Sequence, residues 1–126
     1  MANNQKHILI VDDDPLISRM YQKKLSQDGY AVETAENGEA AINSVGKSMP
    51  DLILLDVMMP KMNGVETLKA IKSDPRIKDI KVIFLTNLGD KQEDIENAKK
   101  LGALEYLVKS QISLKDLSAK VNEILK

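Results

Sequence analysis

The chain has 126 residues, no cysteine and a formal net charge of −1. Its length suits one domain that buries a full core without crosslinks, and the lack of cysteine excludes disulfides and thiolate metal sites. The near-zero charge gives no electrostatic reason to expect binding to nucleic acid or membranes, and no apolar run approaches the ~20 residues of a membrane span. We therefore expect a soluble, cytoplasmic, single-domain protein.

Five short apolar segments alternate with longer amphipathic ones. We predict strands at residues 7–11, 30–35, 51–57, 80–85 and 103–108. The first, third and fourth contain nearly continuous apolar runs, which is typical of parallel strands covered on both faces. The second, AVETAE, alternates and is more polar, so we place it at a sheet edge.

Helix start signals lie between these strands. Asp14 followed by Pro15 predicts an N-cap with proline at the first helical position. Three further pairs have a capping-box layout: Asn63 with Glu66, Asp90 with Glu93 and, more weakly, Ser113 with Asp116. The first and last helices each have one predicted apolar face, formed by Ile17, Met20, Tyr21 and Leu25 and by Leu114, Leu117, Val121 and Ile124.

The alternation predicts an α/β fold in which a strand–helix unit repeats five times. Parallel strands joined by helical crossovers give a sheet with helices on both faces. In such sheets, ligands bind outside the carboxyl ends of the strands. The residues that end the strands are therefore the first candidates for a functional site.

The strand ends carry a distinctive set of polar side chains. The first strand runs into Asp12, Asp13 and Asp14, and the third, fourth and fifth end at Asp56, Thr86 and Lys109. Adjacent carboxylates raise one another's pKa, so we expect a cation that offsets their repulsion. Carboxylate oxygens suit Mg²⁺, and a carboxylate can also form an aspartyl phosphate. We predict a Mg²⁺-dependent phosphoryl-transfer site with Asp56 as the nucleophile.

With these residues in place, the chain resembles the receiver domains of two-component response regulators. The resemblance covers about residues 6–125 and depends on VDDDP, on LLDVMMPKMNG around Asp56, on LT at Thr86 and on LGALEYLVK up to Lys109. It implies a flavodoxin-like, doubly wound (βα)5 fold, with a five-stranded parallel sheet in the order 2-1-3-4-5.

The resemblance also implies a role for each site residue. Asp56 would be the phospho-acceptor, and Mg²⁺ would be held by Asp12, Asp13, Asp56 and the backbone carbonyl of Met58, with Asp12 acting mainly through water. Thr86 and Lys109 would contact the phosphoryl oxygens. Tyr106 would be the switch aromatic that turns inward as Thr86 shifts, whereas Asp14 would only cap the first helix.

The implied partners are a histidine kinase or phosphotransfer protein upstream and an effector protein downstream. The effector would bind the surface of the fourth helix, fifth strand and fifth helix, at about residues 91–126. We expect no nucleic acid binding by this domain, no membrane binding, and a monomer or weak homodimer. The chain would be a single-domain regulator or part of a longer one, and it would promote its own phosphorylation and dephosphorylation without being a turnover enzyme.

Three departures from the family pattern bear on these roles. Ser110 follows Lys109 where the family usually has a proline in a cis bond, so either the bond is trans and the loop differs, or strong contacts hold it cis. Asn87 follows Thr86 where the family prefers alanine or glycine, and it would narrow phosphoryl access or add a hydrogen bond. Met58 and Leu88 cannot orient an attacking water, which predicts a long-lived aspartyl phosphate.

Two other functions fit parts of the sequence. Phosphatases of the haloacid dehalogenase type also use an aspartate nucleophile with Mg²⁺, threonine and lysine, and Asp12 would then be the nucleophile. The chain is short for their core, however, and that hypothesis leaves Asp56 without a role. The third possibility is a receiver-fold adaptor that is never phosphorylated.

Overall fold

A computed structural model describes residues 5–59, 62–87 and 92–126. It contains one parallel sheet of five strands in the order β2-β1-β3-β4-β5, which confirms the predicted fold and strand order. The strands are β1 (His7–Val11), β2 (Ala31–Ala35), β3 (Leu52–Leu55), β4 (Lys81–Thr86) and β5 (Glu105–Val108).

Apolar sequence and position in the sheet agree closely. All four residues of β3 are buried, as are the last four of β1 and the last five of β4, because helices cover both faces of these strands. The more polar β2 lies at an edge of the sheet, as predicted, with Glu33 and Thr34 exposed.

Five helices connect and follow the strands: α1 (Pro15–Gln27), α2 (Gly38–Ser48), α3 (Gly64–Ser73), α4 (Gln92–Lys100) and α5 (Leu114–Ile124). Asp14 caps α1 ahead of Pro15, and Asn63 and Glu66 form a reciprocal capping box at α3, as predicted. At α5 only the Ser113 side chain accepts, from the Asp116 N–H. Asp90, the cap of the pair predicted with Glu93, lies outside the described residues.

Two apolar clusters form the core, one on each face of the sheet. The first includes Leu9, Ile53 and Phe84, and the second includes Ile10, Leu54 and Leu117. Alternate residues of the same strand therefore pack against different helices, as the pleat of a strand requires. The predicted apolar face of α1 is wrong at one position, because Met20 is 45% exposed while Tyr21 and Leu25 are buried. At about 100° per residue these four positions cover an arc of roughly 140°, and Met20 lies at one end of it, outside the buried stripe.

No helix in the part of the chain that the structure describes is both long and apolar enough to cross a membrane. That the whole chain forms a single domain remains a prediction.

Candidate phosphoryl-transfer site

The sheet register brings the predicted site residues to one edge. Val11 of β1 pairs with Leu55 of β3, so that Asp12 and Asp56 leave their strands side by side. The ladder continues into both residues, since the Asp56 N–H donates to the Val11 carbonyl at 2.9 Å and the Asp12 N–H donates to a β2 carbonyl. Rigid strand ends therefore fix the backbone of both aspartates.

Three carboxylates converge at this edge. One oxygen from each of Asp12, Asp13 and Asp56 lies within 4.8 Å of the others. Asp12 and Asp56 are 4% and 6% exposed, whereas Asp13 faces solvent. Two nearly buried carboxylates and an accessible third form a set of hard oxygen donors around a small gap, which is the donor chemistry that Mg²⁺ prefers. The residues present therefore fit this ion.

Lys109 places its ammonium among these carboxylates. Its Nζ donates to the Asp56 carboxylate at 3.0 Å and to the Asp12 carboxylate, and its side chain is as buried as theirs. An ammonium has three N–H donors, so one donor remains after these two bonds. Three carboxylates against one ammonium leave a surplus of two negative charges when all are ionised, which one divalent cation would neutralise.

Burial and this ion pair shift pKa values in the cluster. Burial raises the pKa of Asp12, and this effect outweighs the hydrogen bonds from Lys109 and from the Asp14 N–H. Like-charge repulsion from Asp56 also raises this pKa and is the smallest contribution, so the raised pKa that we predicted is found at Asp12 with burial as its main cause. Burial alone would lower the pKa of Lys109, but its two carboxylate partners together raise it.

Backbone N–H groups orient both buried carboxylates. The Asp14 N–H donates to Asp12 Oδ1 at 2.9 Å, and the Met58 N–H donates to Asp56 Oδ1 at 3.3 Å. In each case the second oxygen, Oδ2, accepts from Lys109. The Asp14 side chain instead accepts from the N–H groups of Leu16 and Ile17, which agrees with its predicted capping role.

The cluster opens into a cleft of about 320 Å³. Thr86 ends β4 as a buried residue and lines the cleft beside Asp56 and Lys109. Met58 lies at the rim with its side chain 61% exposed. The predicted Mg²⁺ contact of its carbonyl remains a prediction, and Leu88 lies outside the described residues.

Tyr106 lies away from the carboxylates, on the other side of Thr86 in the sheet. It is half-buried in β5 and meets Phe84 edge to face, with ring centroids 6.1 Å apart. It also lines a groove of about 490 Å³ between α3 and α4. Its predicted role as a switch is compatible with this half-buried position and remains a prediction.

The structure adds one feature that the sequence analysis missed and bears on two points that it left open, the hydrogen bonding of Asn87 and the isomer of the Lys109–Ser110 bond. Tyr21 is buried on α1, and this burial raises the pKa of its phenol. The charge of Lys109 lowers the same pKa, and the charges of Asp12 and Asp56 raise it. The side-chain oxygen of Asn87 accepts a hydrogen bond from the Ser110 N–H at 3.0 Å. No peptide bond among the described residues is cis, so the Lys109–Ser110 bond is trans. The electrostatic effect on Tyr21 leaves no signal in residue spacing.

Comparison with known proteins gives a consistent result. A model of the response regulator receiver domain family matches residues 8–122. A probable transcriptional regulator ycf27 of Cyanophora paradoxa is 40% identical over 126 residues, which are 100% of this chain and 51% of that protein. The DNA-binding dual master transcriptional regulator RpaA of Synechocystis sp. is 37% identical over 119 residues, 94% of this chain and 48% of RpaA. The chain thus spans about half the length of these curated relatives.

Solved structures agree with the sequence comparisons. The chemotaxis response regulator CheY4 of Vibrio cholerae has a TM-score of 0.88 at 31% identity, covering 96% of this chain and 99% of that chain. The BeF3-activated DrrB receiver domain has a TM-score of 0.83 at 31% identity, covering 96% and 97%.

Proposed function

We propose a phosphoryl-accepting role for Asp56 in this chain, which belongs to the family of response regulator receiver domains. The phosphoryl group would come from a phosphohistidine of a histidine kinase or phosphotransfer protein. The observation that carries this proposal is the convergence of three carboxylates and one ammonium at the end of β3. The chain is a signalling domain and not a turnover enzyme.

The transfer exchanges one bond to phosphorus for another. An Asp56 carboxylate oxygen attacks the phosphorus, an O–P bond forms, and the N–P bond to the histidine breaks. The electron pair of that bond returns to the imidazole nitrogen, which then takes up a proton. Catalysis of such transfers depends mainly on positioning and on neutralising charge.

The other site residues supply those two requirements. Asp12, Asp13, Asp56 and the Met58 carbonyl would hold Mg²⁺, which when bound neutralises charge on the phosphoryl oxygens. The third N–H donor of Lys109 is available for one phosphoryl oxygen. The hydroxyl of Thr86, in the same cleft, would bind another.

Phosphorylation would change a surface some distance from Asp56. Thr86 shifts toward the phosphoryl group, Tyr106 turns inward, and the surface of α4, β5 and α5 changes its affinity for an effector. This biases two pre-existing conformations and creates no new one. In this proposal the domain itself binds neither nucleic acid nor membrane, works in the cytoplasm as a monomer or weak homodimer, and promotes its own phosphorylation and dephosphorylation.

Incubation with acetyl phosphate and Mg²⁺, followed by intact-protein mass spectrometry, tests the proposal. We expect one added phosphoryl group, which is lost in Asp56→Asn and requires Mg²⁺. Asp14→Asn is the matched control, because that carboxylate caps α1, and it should be labelled like the wild type.

The outcomes separate the three hypotheses. Label that survives in Asp56→Asn but not in Asp12→Asn would favour a phosphatase-type nucleophile at Asp12. No label on the wild type, and no NMR response to beryllofluoride, would favour an unphosphorylated adaptor. Either result would overturn the proposal.

A further inference from the structure

We propose that Asn87 is a positioning residue for Lys109, acting through the Ser110 N–H. The Asn87 side-chain oxygen accepts from this N–H at 3.0 Å. Asn87 directly follows Thr86 and Ser110 directly follows Lys109, so one hydrogen bond joins the two segments that present the hydroxyl and the ammonium. This inference rests on the proposed phosphoryl-transfer function.

The bond extends the contact between two neighbouring strands beyond their last backbone pair. The register of β4 and β5 ends with Thr86 opposite Val108. The next residue of the second segment, Lys109, begins a short 3-10 turn that runs to Gln111. The ladder stops at residue 108, and beyond it the Asn87 side chain connects this turn to the end of β4.

The orientation of the Asn87 amide follows from its partner. A backbone N–H can only donate, so the atom facing Ser110 is the amide oxygen. A proline at residue 110 would have no N–H to donate. The contact therefore needs both residues, an acceptor at residue 87 and a non-proline residue at 110, which are two of the departures noted in the sequence.

The consequence concerns Lys109 more than the overall fold. Its ammonium must reach Asp12 and Asp56 together from a flexible four-carbon stem. Restraining the backbone at the adjacent residue fixes the position and direction from which that stem starts, so fewer conformations of Lys109 miss the two carboxylates. Asn87 and Ser110 are both exposed, so water replaces part of a lost bond, and we expect a modest change in rate.

Two substitutions separate positioning from simple bulk. Asn87→Leu keeps the size of the side chain and removes the acceptor, whereas Asn87→Ala removes both. We expect both to slow phosphorylation by acetyl phosphate at saturating Mg²⁺ by about three- to tenfold, the factor that the net free energy of one hydrogen bond corresponds to. If Asn87 only narrows the cleft, Asn87→Ala would be faster than the wild type and Asn87→Leu unchanged. That pattern would overturn the proposal.

Two further measurements test the route through Lys109. In a Lys109→Ala background, Asn87→Leu should slow the reaction by less than about twofold, since residues that act through one group are not additive. Hydrogen exchange of the Ser110 amide should accelerate in Asn87→Leu and stay slow in Asn87→Asp, which keeps an acceptor. Ser110→Ala keeps the N–H and is the control, with unchanged rate and exchange.

These results are distinguishable from failure of the proposed function. A wild type that takes up no phosphoryl group refutes the function itself. The role of Asn87 alone is refuted if the wild type is labelled but either of two results is found. One is an additive effect of Asn87→Leu in the Lys109→Ala background, and the other is a Ser110 amide that is not protected from exchange.

Discussion

Among the described residues, Lys109 is the cation that is hydrogen-bonded to Asp12 and Asp56, and replacing it by methionine removes both bonds. Both carboxylates and the lysine side chain are almost completely buried, so water reaches them only from the cleft and replaces the ammonium poorly. Breaking a buried ion pair from one side costs about 3–5 kcal/mol. We expect about 3 kcal/mol, the lower end of that range, because the cleft gives water access to one side of the pair.

Urea unfolding followed by circular dichroism at pH 7 without Mg²⁺ measures this change. In a thermal melt of the same samples, a loss of about 3 kcal/mol should lower Tm by roughly 12 °C for a domain of this size. The control is Lys120→Met, which breaks an ion pair with Glu105 at 3.4 Å in which both side chains are about one-third exposed. Such exposed pairs contribute about 0–1 kcal/mol.

The same reasoning predicts how the loss is recovered. Millimolar Mg²⁺ should restore part of it, since a cation that binds only the folded state stabilises that state. Lowering the pH toward 4 should also narrow the gap between Lys109→Met and the wild type, because the pKa of Asp12 is raised and its protonated carboxyl needs no cation. A Lys109→Met variant as stable as Lys120→Met at pH 7 would refute the reasoning, since the pair would then contribute no more than an exposed one.

Four other outcomes follow from the structure. Because the pKa of Asp12 is raised in the folded state, the Mg²⁺-free protein should lose stability as pH rises from the unfolded value of about 3.9 through the folded value, and thermal melts with Mg²⁺ should show a smaller loss. Gly64→Ala should destabilise the loop after Asp56, since an added Cβ would lie 2.3 Å from the Asp56 carbonyl oxygen. Gly46→Ala in α2 is the control, because its added Cβ meets nothing within 4 Å. It should raise the free energy of unfolding by about 0.5–1 kcal/mol in chemical denaturation. Asp14→Ala should cost about 1 kcal/mol through loss of the α1 cap, with Mg²⁺ affinity by calorimetry unchanged. The aspartyl phosphate should outlast seconds at neutral pH, since Met58 cannot orient a water, and faster decay of a radiolabel would contradict this.

The sequence predicted the sheet because its signals are local and strong. Continuous apolar runs identified β1, β3 and β4, and the alternating AVETAE segment identified an edge strand. Boundaries were less certain, since β3 begins at Leu52 and ends at Leu55 where 51–57 was predicted. Asp56 and Val57 are buried but follow the last residue of the strand, and burial alone does not distinguish a strand from the loop that follows it.

The sequence also predicted which residues meet, because the carboxyl ends of parallel strands share one edge. It could not predict how they divide their hydrogen bonds. Lys109 bonds two carboxylates, and burial outweighs repulsion at Asp12. Both results depend on where the side chains lie, which residue spacing does not specify. The bond between Asn87 and Ser110 joins residues 23 positions apart, and neither position alone indicates the other.

The rigid sheet holds the carboxylates of the acidic cluster close together although their mutual repulsion is unfavourable. Asp12 and Asp56 continue directly from Val11 and Leu55, which are almost fully buried, and backbone bonds fix the start of each loop. The carboxylates cannot separate to relieve their repulsion without breaking the ladder beneath them. A cation that binds between the carboxylates therefore offsets part of the free energy lost by burying and crowding their charges, and stabilisation of the protein by Mg²⁺ should shrink when Asp13, the exposed carboxylate, is replaced by asparagine.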